Sequence, residues 1–350
     1  MKASLFLHSA LSALRRTASA VSGLFGASAL LLCAALAAHP AYPAHAGGPL
    51  CLSGSATILL PQPEGGQTDM IYKPLRDVWQ RHTGAALAFS HKPGRGGSYA
   101  VTGAMDAGGD GCTLAAVQMP SLFLLAADAD GMFAPDDVAP VSVFASAPLA
   151  LWVAEDGPLQ TMDALVTFMR TAMEQGGEAA VIAGAGSYTD QHLAFLRFER
   201  AAGVKGRYMA ALGSAEAARA VREGNAAACF AYALPNPGMS GTKALAVAAA
   251  SRSAALPEAP TLRELGIDME SLTYFGLALP VSVSEDKRAG YTAALAGLAE
   301  DAALAKALAA SGAKPEAVPP LKLAATLAAW ADQALAAIDA YNLFPRNRRR

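Results

Sequence analysis

Two stretches of this chain share one layout, and that repetition constrains the fold more than any other feature. The first runs from the apolar Ile58-Leu59-Leu60 through Pro61-Gln62-Pro63-Glu64 to Gly65-Gly66-Gln67-Thr68-Asp69. The second runs from a strand over 179–183 through Gly184-Ala185-Gly186-Ser187-Tyr188-Thr189-Asp190 to a helix holding Gln191, His192, Leu193 and Phe195. In each, a short apolar run reads as a buried strand, glycines turn the chain, and a polar residue suits a helix N-cap, Thr68 or Asp69 in the first case. Such a turn is a seat for an anion. Unpaired N–H groups converge there, the helix dipole adds partial positive charge, and glycine lets a ligand approach the backbone. A single loop of this kind is more often a plain connection, whereas two on separate lobes can face one another across a cleft.

The rest of the chain supplies those lobes. The helical spacing of Met70, Ile71, Leu75, Val78 and Trp79 is interrupted by Pro74, so the helix bends or begins near Lys73, and Gly84 ends it. A strand over 86–90, a glycine loop from His91 to Ser98, a short helix through Asp106 and a strand ending at Gln118-Met119-Pro120 follow. Strands alternating with helices predict an α/β fold with doubly wound parallel sheets, whose ligands lie beyond the carboxyl ends of the strands. Apolar runs at 141–146 and 149–154, split by Ala147-Pro148, mark a crossing into a second lobe. There Thr161 caps a helix, strands are predicted at 208–212, 226–232 and 244–249, and a helix at 214–223. A strand over 272–280 returns to the first lobe, and residues 284–341 are alanine-rich and helical. The expected division is residues 47–143 with 272–345 in one lobe and 144–271 in the other.

The N-terminal stretch is excluded from this fold. Lys2, Arg15 and Arg16 precede an apolar run over 21–38, and Ala44-His45-Ala46 is a small-x-small cleavage site, so residues 1–46 read as a secretory signal peptide. A membrane anchor is the rival reading, and a lipoprotein through Cys33 a weaker one, because Leu32 before the cysteine is bulky. No later run reads as long and apolar enough to span a bilayer, so the mature protein is expected to be soluble and exported. The formal net charge is −2, and removal of three basic residues with the leader takes it to −5. The tail Arg346, Arg348, Arg349 and Arg350, expected to be disordered, carries four more positives and leaves about −9 on the body, which argues against a nucleic-acid partner. Of the cysteines beyond the leader, Cys51 and Cys112 each precede an apolar strand. If those strands are parallel neighbours the two can form a disulfide, with Cys229 a buried free thiol. No CxxC pair and no helical His-x-x-x-His occurs, so neither metal nor cofactor is expected.

Taken together, the chain resembles the tripartite tricarboxylate transporter substrate-binding proteins, the TctC or Bug receptors. The resemblance rests on Pro61 to Asp69, on Lys92-Pro93-Gly94-Arg95-Gly96-Gly97, on Asp110-Gly111-x-Thr113-Leu114 and on the loop from Gly184 to Leu193. It continues through Leu245-Ala246-Val247, Arg252, Leu256-Pro257 and Pro260-Thr261 to Gly266. It implies a type II periplasmic binding protein: two α/β lobes joined by two crossing strands, monomeric, closing on a small carboxylate such as a dicarboxylate, amino acid or aromatic acid. The implied ligand groups are Gly65, Gly66, Gln67 and Thr68 in the first loop and Gly186, Ser187, Tyr188, Thr189 and His192 in the second, with Gln118 a third contact. Implied partners are membrane transporter subunits or, alternatively, a sensor kinase. Glu64 departs from the pattern; beside an anion seat it either points away or signals a ligand with a cationic group, which Asp69 could bind if it does not cap its own helix. Ser187, His192 and Asp69 would be hydrolase-type residues, but there is no Gly-x-Ser-x-Gly elbow, so no catalysis is expected.

Overall fold

The structure, a computed structural model, describes residues 50–344 apart from 52, 129–130 and 175–178. The expected signal peptide and the arginine tail lie outside the described residues. The first sheet begins with β1 (Ser55–Leu60), β2 (Ala86–His91) and β3 (Thr113–Met119), all parallel, with β1 central. Because β1 and β3 are neighbours, Cys51 and Cys112 lie at one edge, and a disulfide joins them across a sequence separation of 61.

Strand β4 (Val138–Ala154) organises everything else. Sequence reading splits it at Ala147-Pro148, but it is one strand of 17 residues, spanning roughly 55 Å. Residues up to Pro148 pair antiparallel with β9 (Leu272–Pro280), and those from Leu149 onward pair with β7 (Ala228–Tyr232) and β8 (Thr242–Val247). Pro148 cannot donate a hydrogen bond, and it sits where β4 exchanges one set of partners for the other, so little of the ladder is lost. The second sheet is completed by β5 (Val181–Ala185), parallel to both β6 (Arg207–Ala211) and β7. Strand β9 also pairs with β3, so it belongs to the first sheet, and β4 is the strand that runs through both. β10 is a two-residue addition to β4, at Lys314–Pro315.

Helices α1 (Gln67–Tyr72) and α2 (Leu75–Thr83) break at Lys73-Pro74, and α2 buries Leu75, Val78 and Trp79 before Gly84 ends it in the left-handed conformation at φ +73°. Three expectations shift. Neither Thr68 nor Asp69 is the N-cap of α1; that is Gly66, because the helix starts at Gln67. β5 runs two residues later than read, since Gly184 stays inside the strand, where the absence of a Cβ lets the Tyr208 ring pack against it. And one later segment does have the length and mean hydropathy, 1.2, of a membrane span: the helix Pro320–Tyr341. Alanine and leucine supply that hydropathy, while Leu323, Trp330, Ala334 and Ile338 turn inward to pack on the body.

Candidate functional site

Three loops meet beyond the carboxyl ends of β1, β2 and β5. The loop after β5 leads into the 13-residue helix Asp190–Ala202, capped by the Thr189 hydroxyl, which accepts from the His192 N–H at 3.3 Å and donates to the Gly186 carbonyl at 3.1 Å. Gly186 (φ +80°) and Tyr188 (φ +59°) are both left-handed, an uncommon conformation for a tyrosine. His192 holds that turn: its Nδ1 accepts the Tyr188 N–H at 3.1 Å and its ring stacks on Tyr208 at 4.3 Å. Burial depresses the His192 pKa to about 4, so it is neutral at neutral pH. The next residue inward, Asp190, is pinned to the other half. Its N–H donates to Ser121 Oγ at 2.7 Å, and its carboxylate accepts from the hydroxyls of Ser121 and of Thr273 on β9. Burial pushes the Asp190 carboxyl upward against those hydrogen bonds.

The loop after β2 carries Gly94, Arg95, Gly96 and Gly97, all at positive φ, from +50° for Arg95 to +125° for Gly94. It lies directly on the β5 loop. A Cβ at Gly96 would stand 2.8 Å from the Ser187 carbonyl oxygen, and one at Gly186 would stand 2.6 Å from the Gly96 Cα. Glycine at both positions is what permits this contact. Around it lies a cavity of about 490 Å³ bordered by Gln62, Arg95, Gln118, Asp128, Ser187, Tyr188, Thr189, Leu212, Glu216 and Tyr232, among others. Gln118 is buried, and its Nε2 has no hydrogen-bond partner among the described residues.

The first loop is arranged differently. The Gly65 N–H donates to Asp69 Oδ2 at 2.6 Å, and the same carboxylate lies 2.9 Å from both Lys73 Nζ and His91 Nε2. Burial acts to raise the Asp69 carboxyl, but hydrogen bonds from Lys73, His91 and Gly65 outweigh it and bring it below its ordinary 3.8. Glu64 points outward to Lys73 at 3.2 Å. Gln67 is fully buried and locks onto the second sheet, donating to the carbonyls of Tyr232 (2.9 Å) and Leu234 (2.6 Å) and accepting from the Tyr232 N–H at 3.0 Å. Thr68 is buried with its hydroxyl unpartnered among the described residues. Of the residues singled out in the sequence, Gln118, Gly186, Ser187, Tyr188 and Thr189 border the cavity. Gly65 and Gly66 border an adjoining recess of about 730 Å³ that shares Gln62, Leu212 and Glu216 with it, and Gln67, Thr68, Asp69 and His192 border neither. The glycine loop at 94–97 was legible as a loop, but nothing local indicated that it would meet Gly186. Among the described residues no cluster of three or more His, Cys, Asp or Glu could hold a metal.

Two sheets joined through β4, with a polar cavity where their loops meet, define the two-lobed fold of periplasmic binding proteins. Solved structures agree. An adipate-bound protein of R. palustris matches with a TM-score of 0.71 at 21% identity, over 82% of this chain and 97% of that one. The periplasmic binding protein BugD gives 0.71 at 19% identity over 83% and 98%, and the malate-bound MatC of Rhodopseudomonas palustris gives 0.68 at 21% over 82% and 97%. The model of the tripartite tricarboxylate transporter family receptor matches residues 71–339, and this chain belongs to that family, whose members are solute-binding receptors rather than enzymes. A curated relative, the UPF0065 protein in gbd 5′ region of Cupriavidus necator, is 28% identical over 219 residues, 62% of this chain; the match spans 65% of that relative's length.

Proposed function

We propose that this protein is a periplasmic receptor that captures a small carboxylated solute in the cavity between its lobes and delivers it to a tripartite tricarboxylate-type membrane transporter. The observation that carries the reading is the β5 loop. There the N–H groups of Ser187 and Thr189 have no acceptor among the described residues, the Ser187 hydroxyl is exposed, and all stand at the start of a 13-residue helix bordering a 490 Å³ cavity. That combination neutralises a carboxylate through dipoles without a buried lone charge. Gln118 Nε2 offers a further donor from the first sheet. In the first loop the Gly65 N–H is already engaged, so that loop acts mainly as a buttress, with Gly66 reaching the ligand's far side from the adjoining recess. A solute touching the 94–97 and 186–189 loops together favours their contact and so the closed arrangement of the lobes, with β4 and β9 as hinges.

The test is calorimetric titration of the purified protein with adipate, malate, benzoate and glutamate and with the corresponding amides. Binding of at least one acid, with its amide much weaker and Ser187→Ala weaker than wild type, is the expected result. Equal binding of acid and amide, or no binding by any acid, would overturn the reading.

A further inference from the structure

The charges around the cavity are unequally engaged. Glu216 accepts the Leu212 N–H at 2.7 Å and lies 3.6 Å from Arg219. Asp190 is held by the hydroxyls of Ser121 and Thr273, and Asp128 has an interaction of its own. Among the described residues Arg95 is the only lysine or arginine bordering the cavity, and its guanidinium makes no hydrogen bond or ion pair with them. Its backbone is left-handed at φ +50°, flanked by three glycines that can adopt positive φ without strain. A glycine would suit position 95 at least as well, so holding an arginine there has a conformational cost that no hydrogen bond or ion pair among the described residues offsets. The loop's neighbour Gly96 rests on the Ser187 carbonyl, so Arg95 borders the same cavity as the hydroxyl and N–H groups of the β5 loop.

We propose that Arg95 is a specificity-determining residue of the cleft, pairing through its planar fork with the anionic group of the solute and so making acids preferred over neutral analogues. This rests on the carboxylate-receptor reading above. A guanidinium donates two parallel hydrogen bonds to a carboxylate, and closure of the cleft over the pair strengthens them by excluding water. On a body of negative net charge, the same cation supplies the local attraction that draws an anion in.

The experiment uses the full mature protein and the tightest-binding acid of the panel, titrated against wild type, Arg95→Gln, Arg95→Lys and Arg95→Gly. Arg95→Gly suits φ +50°, so its melting temperature should hold or rise while its affinity for the acid falls, a combination a merely structural role would not give. The expected loss is about tenfold or more for Arg95→Gln and Arg95→Gly. Arg95→Lys should fall in between, amide binding should stay unchanged, and Lys306→Gln, an equal loss of charge on an exposed helix, should bind within about twofold of wild type. If wild type binds an acid and Arg95→Gln binds it equally well, Arg95 has no such role and the receptor reading stands. If wild type binds no acid, the receptor reading falls, and the role of Arg95 with it.

Discussion

The two helix-opening loops look alike in sequence and differ in what they leave available. In the first, Asp69 turns back on Gly65, Lys73 and His91, and Gln67 reaches across to Tyr232 and Leu234, so the Gly65 N–H and the side chains of Gln67 and Asp69 are engaged within the protein. In the second, the engaged groups lie behind the turn, at His192 and Asp190, while Ser187 and Thr189 border the cavity. A helix start is therefore not in itself a ligand seat. What decides is whether the chain's own side chains occupy it.

The largest contrast should come from adding a methyl to each loop. Gly65 and Gly186 share a left-handed φ, +78° and +80°, but a Cβ at Gly65 meets nothing within 4 Å, while one at Gly186 meets the Gly96 backbone. Gly186→Ala should lower stability by about 4 kcal/mol and Gly65→Ala by about 1 kcal/mol, combining left-handed strain with overpacking in the first and strain alone in the second. Denaturant unfolding of both measures the difference, and equal losses would erase the contrast.

Acid should also separate the loops. His192 has its pKa depressed from 6.5 unfolded to about 4 folded, so between those values the unfolded chain binds the extra proton. The stability it contributes is complete above pH 6.5 and is lost as pH falls toward 4, by about 3 kcal/mol. Protonation also removes the acceptor for the Tyr188 N–H, so acid binding should weaken over the same window. The depressed Asp69 keeps its contribution until the pH falls below 3.8. Unfolding measured from pH 7 to 4 should thus show a loss that His192→Gln abolishes; a loss unchanged in that variant would shift the cause elsewhere.

Gln67→Ala should cost about 2 kcal/mol by leaving the peptide groups of Tyr232 and Leu234 without partners, while changing affinity for an acid little more than twofold. The smallest effects should come from the hydroxyls: Ser187→Ala is expected to weaken acid binding about fivefold with unchanged stability, and Thr68→Ala to leave binding within about twofold. Calorimetry on the pair reads this directly, and a reversal of the two would exchange the roles of the loops.

Much of the frame was legible because it is local. The limits of β9, the break at Pro74 and the left-handed Gly84 follow from residue type, and Thr261 with Glu264 closes its short helix by reciprocal hydrogen bonds of 3.1 and 2.6 Å. The site was legible as two loops but not as an arrangement. The pairing of Asp69 with His91 spans 22 residues, that of Gln67 with Tyr232 spans 165, and the seating of Gly96 on Gly186 joins different sheets. No periodicity carries such information. The one available signal was the glycine run around Arg95, which has the same excess of conformational freedom as the loop it meets.

The central claim is that the β5 and β2 loops form the seat while the β1 loop supports it, and backbone amide hydrogen exchange with and without a saturating acid tests that most directly. Slowed exchange on binding at Ser187, Thr189 and residues 94–97, with Gln67 to Asp69 unchanged, is the predicted result. New protection confined to Gly66, Gln67 and Thr68, with none in the β5 loop, would contradict it.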